Sequence, residues 1–233
     1  MPYRIVICIV GCFSVVVLAQ GPTRETFSQK AWVKIAPIYQ QIFSHPFNQE
    51  LRSGTLSQQR FARYQRQDAL YLSQFSKALW ILSAKIENPI EAQMVRKIAG
   101  VDHEQVKVSA TRYFSKEMNP STMLYTGFLL HTAHERSKEE LAAVVLPCFW
   151  IYLQLATQLK ASMKPNAVYY SWVETYSSDG YREAVEFMIA LTDRLAGKAS
   201  FEVQEQMLAG FELASRMEWY FWQSSYENEK WKP

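Results

Sequence analysis

Glycine and proline are scarce in this sequence. The 233 residues include eight glycines and nine prolines, roughly 7% of the chain, whereas ~12% is typical of proteins. No stretch of useful length alternates apolar and polar residues as a half-buried strand does, and no repeat or low-complexity tract is present. A chain with few breaks and long periodic segments is typical of helical proteins, so we expect an all-α protein.

Cysteine is also scarce, and two of the three cysteines lie near the N-terminus. Residues 1–19 carry one charge, Arg4, followed by an apolar run that ends in small residues. This is the pattern of a secretory signal peptide, and the run is short for a spanning helix, which needs ~20 apolar residues. We therefore expect export, to the periplasm or outside the cell. An alternative is a lipid anchor at Cys12, because residues 9–12 resemble a bacterial lipobox.

Without residues 1–19, the remaining chain, 20–233, has a single cysteine, Cys148. One cysteine cannot form an internal disulfide, and it does not provide the thiolate cluster of a structural zinc site. We therefore expect Cys148 to be a free thiol.

A strong charge of one sign is missing as well. The formal net charge is +3, and near-balance argues against a nucleic-acid-binding protein, which carries a basic stripe or patch. Outside residues 1–19, the expected leader, we find no apolar run that we judge long and charge-free enough to span a membrane. We therefore expect no stable membrane span in residues 20–233.

What the sequence does contain is helical periodicity between clear breaks. The breaks contain proline, glycine, asparagine or serine, and Ser137 and Ser200 precede acidic residues as helix N-caps do. No linker divides the chain, so one domain of about seven to eight helices is expected. The expected segments are residues 29–43, 57–86, 89–116, 121–135, 138–163, 167–176, 178–196 and 200–226.

Three of these helices place a reactive or acidic group in the apolar stripe that should be buried. Asp68 lies among Phe61, Tyr64 and Tyr71; Cys148 and Glu218 lie in the stripes of later helices. A single buried acid is often a satisfied structural group, and a buried cysteine is often a small core residue. Three of them, with tyrosines in the same pattern, favour a pocket for a flat, polar heteroaromatic ligand.

Other candidate sites are weaker. His131 and His134 are followed by Glu135, but a di-iron helical site needs Glu-x-x-His pairs on two helices, and neither histidine has a glutamate three residues before it. No phosphate-binding glycine loop occurs. We expect no metal and no cofactor.

Four separated motifs resemble those of the TenA (thiaminase II) family. They cover about residues 30–226 in the family's order. The motifs are HPFNQEL at 45–51 with QDALYL at 67–72, LPCFWIY at 146–152, YSWVETY at 170–176 and FELASRMEWYFW at 211–222.

The resemblance implies a helical domain of the haem-oxygenase-like fold, usually a homotetramer, that hydrolyses thiamine or its aminomethyl-pyrimidine breakdown products to hydroxymethylpyrimidine. It implies Cys148 as the nucleophile, Glu218 as the acid/base, and Asp68 as the group that binds the amino-pyrimidine edge. The wall of the pocket is then formed by Tyr71, Tyr125, Tyr152, Tyr176 and Phe221.

The chain departs from the family at two points. Residues 155–157 read Leu-Ala-Thr where many relatives have a glycine, which affects the floor of the pocket. The leader is unusual too, since most members of the family are cytoplasmic, and a cytoplasmic location stays an alternative to export. Two alternatives to the enzyme stay open: a non-catalytic exported thiamine- or pyrimidine-binding protein, and an oxidase or metal enzyme of the same fold.

Overall fold

The computed structural model describes residues 25–106 and 118–232, and these residues form nine helices and no strand. The expected leader, 1–19, and the last part of the expected helix 89–116 lie outside the described residues. The helices are α1 (Phe27–Phe43), α2 (Pro46–Ser53), α3 (Gln58–Lys85), α4 (Pro89–Val106), α5 (Pro120–Glu135), α6 (Lys138–Lys160), α7 (Tyr170–Tyr176), α8 (Asp179–Ala196) and α9 (Phe201–Glu227).

The all-α prediction is confirmed, and α2 is the helix that the sequence analysis did not include. Both of its boundaries were recognised as breaks, but the eight residues between them are helical. Pro46 occupies the first turn, where its missing N–H costs nothing, and the His45 ring accepts from the backbone N–H of Phe47. Gly54 ends the helix at φ 74°, a left-handed conformation that favours glycine.

The expected N-caps are present. The Ser137 hydroxyl accepts from the backbone N–H of Glu140, and the Glu140 carboxylate accepts from the backbone N–H of Ser137, which completes a capping box at the start of α6. The Ser200 hydroxyl caps α9 by accepting from the N–H of Val203. These contacts fix where the two helices that carry Cys148 and Glu218 begin.

Helix α6 is the centre of the fold. By length and composition it is apolar enough to cross a membrane, so the expectation that no run outside residues 1–19 meets this condition is wrong, but 78% of its most apolar window is buried inside the protein. Such burial is typical of the core helix of a globular domain. Gly210 of α9 lies against it, and a Cβ at this position would meet Val144 at 2.8 Å. The missing side chain therefore lets α9 approach α6 closely.

Candidate active site

Cys148 lies in α6 directly after Pro147, and its buried thiol, with 9% of the residue's surface exposed, forms no disulfide within the described residues. Pro147 has no N–H to donate to the preceding turn, so the helix is weakened where the thiol is presented. A hydroxyl from α8 supports this turn, since Tyr181 donates to the carbonyls of Cys148 and Phe149 at 3.4 and 3.3 Å.

Glu218 of α9 is almost completely buried, with 2% of its surface exposed. The Tyr125 hydroxyl of α5 donates to its Oε1 at 2.8 Å. The pKa of Glu218 is raised to about 8: burial is the main cause, the hydrogen bond from Tyr125 opposes the shift, and the negative charge of Asp68 adds to it. At neutral pH this carboxyl is therefore mostly a protonated acid.

Two buried tyrosines are close to both the thiol and the acid. The rings of Tyr71 and Tyr125 are 4.8 Å apart. Burial is the main cause that raises the pKa of both hydroxyls well above the usual value. The charges of Cys148 and Glu218 are among the further causes, so all four side chains share one environment. The Tyr71 hydroxyl is close enough to Tyr125 to influence its pKa, but no described group is placed to form a hydrogen bond of normal geometry with it. We call Tyr71, Tyr125, Cys148 and Glu218 the thiol end.

The second cluster, which we call the aspartate end, is formed by Asp68, Tyr152 and Tyr176. Asp68 and Tyr176 are half-buried, and Tyr152 follows Cys148 by about one turn of α6. The rings of Tyr152 and Tyr176 are 5.0 Å apart. Burial is the main cause of the raised pKa of Tyr152, and the charges of Glu218 and Asp68 add to it, which places Tyr152 within reach of both carboxyls.

Phe221 connects the two ends. Its ring lies 5.7 Å from that of Tyr71 at the thiol end and 5.9 Å from that of Tyr64, whose hydroxyl donates to that of Tyr152 at the aspartate end. The eight residues predicted from the sequence thus lie in one continuous cluster of side chains, which we call the chamber, although they come from five helices, α3, α5, α6, α7 and α9.

The chamber also contains residues that were not predicted as site residues. Tyr64 stacks on Trp222 with ring centroids 4.9 Å apart and planes 5° apart, and its hydroxyl donates to that of Tyr152 at 3.4 Å. Trp172 lies edge-on to Tyr64 at 6.1 Å. Spacing placed Tyr64 in the same buried stripe as Asp68, which it precedes by four residues, but did not distinguish a site residue from a core residue. Tyr181 gave no such signal, because only the packing of α8 on α6 brings it to Cys148.

The described residues contain no group of three or more histidine, cysteine or acidic side chains placed to hold a metal ion. The chamber instead combines aromatic walls, a thiol and a protonated carboxyl, which suits a flat heteroaromatic ligand and acid-assisted nucleophilic chemistry.

Comparison with known proteins places this arrangement in a family. The model of the TENA/THI-4/PQQC family matches residues 32–228. The chain belongs to this family. The match includes all eight residues of the chamber that were predicted from the sequence.

Relatives of this family member include two proteins named aminopyrimidine aminohydrolase. The protein from Bacillus subtilis (strain 168) is 28% identical over 220 residues, which cover 88% of this chain and 92% of the relative. The protein from Helicobacter pylori is 29% identical over 216 residues, which cover 86% of this chain and 99% of the relative.

Solved structures show the same fold. A TenA homologue from Pyrococcus horikoshii OT3 is 25% identical and superposes with a TM-score of 0.77, covering 87% of this chain and 99% of that chain. A TenA homologue from Pyrococcus furiosus is 17% identical with a TM-score of 0.79, covering 86% and 100%, a likeness in fold alone.

Proposed function

We propose that the protein is a hydrolase that cleaves aminopyrimidines, thiamine or its aminomethyl-pyrimidine breakdown products, to hydroxymethylpyrimidine. The observation that carries the proposal is the thiol end, where Cys148 and the protonated Glu218 share a buried aromatic environment. The relatives named aminopyrimidine aminohydrolase support it, because each matches this chain over most of both lengths.

Recognition begins with the ring of the substrate. Aromatic side chains of the chamber stack on a flat heterocycle, and their burial excludes water from it. Asp68, half-buried beside Tyr152, is suited to accept hydrogen bonds from the exocyclic amine of a pyrimidine. A charge-assisted hydrogen bond of this kind contributes about 1.5–3 kcal/mol.

Addition takes place at the thiol end. The Cys148 thiol gives its proton to the ionised fraction of Glu218, and the sulfur forms a bond to a ring carbon. The displaced electron pair moves to a ring nitrogen, which takes a proton from the Glu218 carboxylic acid. A carboxyl with a pKa of about 8 exchanges a proton readily with a thiol, whose free pKa is ~8.5.

The pyrimidine ring that carries the Cys148 sulfur then expels the leaving group. The bond between the exocyclic methylene carbon and the leaving nitrogen breaks, and the nitrogen departs with the bonding electrons. Water adds to the methylene carbon and gives up a proton, which a departing amine takes and which goes to solvent when a neutral thiazole departs. The ring nitrogen then returns its proton to the Glu218 carboxylate, the carbon–sulfur bond breaks with its electrons on sulfur, and the sulfur takes that proton to restore the thiol. One water is consumed, a pyrimidine alcohol and an amine or thiazole are released, and nothing is oxidised or reduced.

The test is to incubate the purified protein with thiamine and, separately, with aminomethyl-pyrimidine, and to measure the pyrimidine alcohol by chromatography. We expect the protein to turn over at least one of the two compounds. The ratio of the two kcat/KM values identifies the preferred substrate. Tight calorimetric binding of both compounds without any product would overturn the proposal in favour of a non-catalytic binding protein.

Two further properties complete the proposal. We propose that residues 1–19 direct export and are then removed. The N-terminal sequence of secreted protein should begin near residue 20, and an intact Met1 would contradict this.

We also propose a homotetramer. Leu213 and Tyr220 support it, since they lie seven residues apart on α9 and expose 42% and 53% of their surfaces. A monomer in analytical ultracentrifugation would contradict it.

A further inference from the structure

A cavity lies outside the chamber, at one end of the same helices. It has a volume of about 420 Å³, within the range of small-molecule sites. The start of α3, the residues before α5 and the end of α9 line it, and none of the eight predicted site residues does. Its charged lining residues are Arg63, Arg66, Lys230 and Glu229, three cations against one carboxylate.

Two of these charges are engaged in holding the fold together. Arg63 donates to the backbone carbonyls of Ser225 and Tyr226 at the end of α9, both at 3.3 Å. The Glu229 carboxylate accepts from the backbone N–H of Ser121 at the start of α5, at 3.0 Å. The carboxylate that could neutralise the cavity is therefore directed to a helix N-terminus.

The other two cations are uncommitted. Arg66 and Lys230 are exposed side chains, and neither forms an ion pair with any residue in the described ranges. Unpaired cations around a concave surface attract anions, and the planar guanidinium of arginine matches the oxygens of phosphate.

A buried hydroxyl in the cavity wall lacks a partner. Ser225 exposes 1% of its surface, and its Oγ makes no hydrogen bond within the described part of the chain. A buried polar group without a partner is uncommon and costs free energy. Ser225 lines the cavity, so a turn of its side chain toward the cavity would give this hydroxyl an acceptor in an oxyanion held by Arg66 and Lys230.

We propose that this cavity is a phosphate-binding site, which takes inorganic phosphate or a small phosphomonoester through Arg66, Lys230 and the Ser225 hydroxyl. The cavity is close to the chamber: Ser225 follows Phe221 by four residues on α9, a rise of about 6 Å. The phosphate can therefore belong to a separate ligand or to the far end of a substrate bound in the chamber.

The test uses inorganic phosphate as the probe. Isothermal titration calorimetry and thermal unfolding are run with phosphate and with sodium chloride at equal ionic strength, because screening alone would act in both salts. We expect phosphate, and not chloride, to give a binding isotherm and to raise the melting temperature, since a ligand that binds only the folded state stabilises it.

Variants locate the binding. R66Q/K230Q should weaken phosphate binding at least tenfold. The matched control R52Q/K164Q, which removes the same charge at exposed positions outside the cavity, should bind as the wild type does. S225A should weaken binding several-fold without lowering the melting temperature measured without phosphate. No phosphate-specific binding by the wild type, or equal affinity in R66Q/K230Q and wild type, would overturn the proposal.

A kinetic arm, which rests on the proposed function, identifies the source of the phosphate. If the substrate carries it, R66Q/K230Q raises KM for thiamine monophosphate and leaves KM for thiamine unchanged. If a separate ligand carries it, the variant shifts neither KM while phosphate affinity still falls. Absence of any turnover would contradict the proposed function and leave the calorimetry to decide the phosphate site.

Discussion

The two ends of the chamber hold the same kind of group, a carboxyl, in different surroundings. Glu218 at the thiol end is 2% exposed and its pKa is raised to about 8, whereas Asp68 at the aspartate end is half-buried. The charge of Asp68 itself helps to raise the pKa of Glu218. Two carboxyls whose environments differ in this way can divide their roles: in the proposed reaction, Glu218 supplies a proton for chemistry and Asp68 presents an acceptor for binding.

The largest effect is expected at the nucleophile. Replacing Cys148 by serine should lower kcat on the order of 10³-fold or more, because an alkoxide is far harder to form than a thiolate. Binding of thiamine, measured by calorimetry, should persist, since the aspartate end is unchanged. Circular dichroism checks that the variant is folded. A kcat within threefold of the wild type would show that Cys148 only packs the core.

The second effect concerns the acid. Glu218→Gln keeps the shape and removes the proton, so kcat should fall on the order of 10²- to 10⁴-fold, the usual contribution of general acid–base catalysis. The matched variant Glu205→Gln, on the exposed face of α9, should leave kcat unchanged. Equal kcat in wild type and Glu218→Gln would exclude Glu218 as the acid.

The same variant changes how stability depends on pH. Between pH 4.5 and about 8 the folded protein keeps a proton on Glu218 that the unfolded chain has lost. The free energy of unfolding of the wild type therefore falls as pH rises through this window, by up to about 1.4 kcal/mol per pH unit from this group. Glu218→Gln should remove that component. In urea unfolding, the free energy of unfolding of the variant minus that of the wild type should therefore rise with pH up to about pH 8 and stay constant above it.

A smaller effect is expected at the aspartate end. Asp68→Asn should raise KM or Kd about 10- to 100-fold, the equivalent of one charge-assisted hydrogen bond, with a smaller change in kcat. Asp179→Asn, an exposed position at the start of α8, is the control. A variant that loses kcat while keeping KM would move Asp68 from recognition to chemistry and remove the contrast between the two ends.

The smallest effect is a shift of a pH profile. The Tyr125 hydroxyl lowers the pKa of Glu218 by donating to it, so Tyr125→Phe should raise that pKa. The alkaline limb of kcat/KM, where the acid is lost, should then move to higher pH, with only a several-fold change in the maximum. If the apparent pKa of the alkaline limb does not change in Tyr125→Phe, a group other than Glu218 determines it.

Much of the fold and of the chamber could be predicted from the sequence, because helical spacing and family motifs are local signals. Asp68 and Tyr71 are three residues apart, and Cys148 and Tyr152 are four apart, so each pair shares a helix face. The helix α2 was missed because proline and glycine at its ends were interpreted as breaks. Tyr181 and the cavity around Arg66 and Lys230 depend on how distant helices pack, which no spacing in the chain reveals.

The most direct measurement is the fate of water oxygen. Thiamine and aminomethyl-pyrimidine are incubated with the protein in ¹⁸O-labelled water, and the pyrimidine alcohol is analysed by mass spectrometry. Our account predicts one ¹⁸O atom in the alcohol from the wild-type protein, and no alcohol above background from Cys148→Ser. Failure of the wild type to form the labelled alcohol from either compound would contradict it.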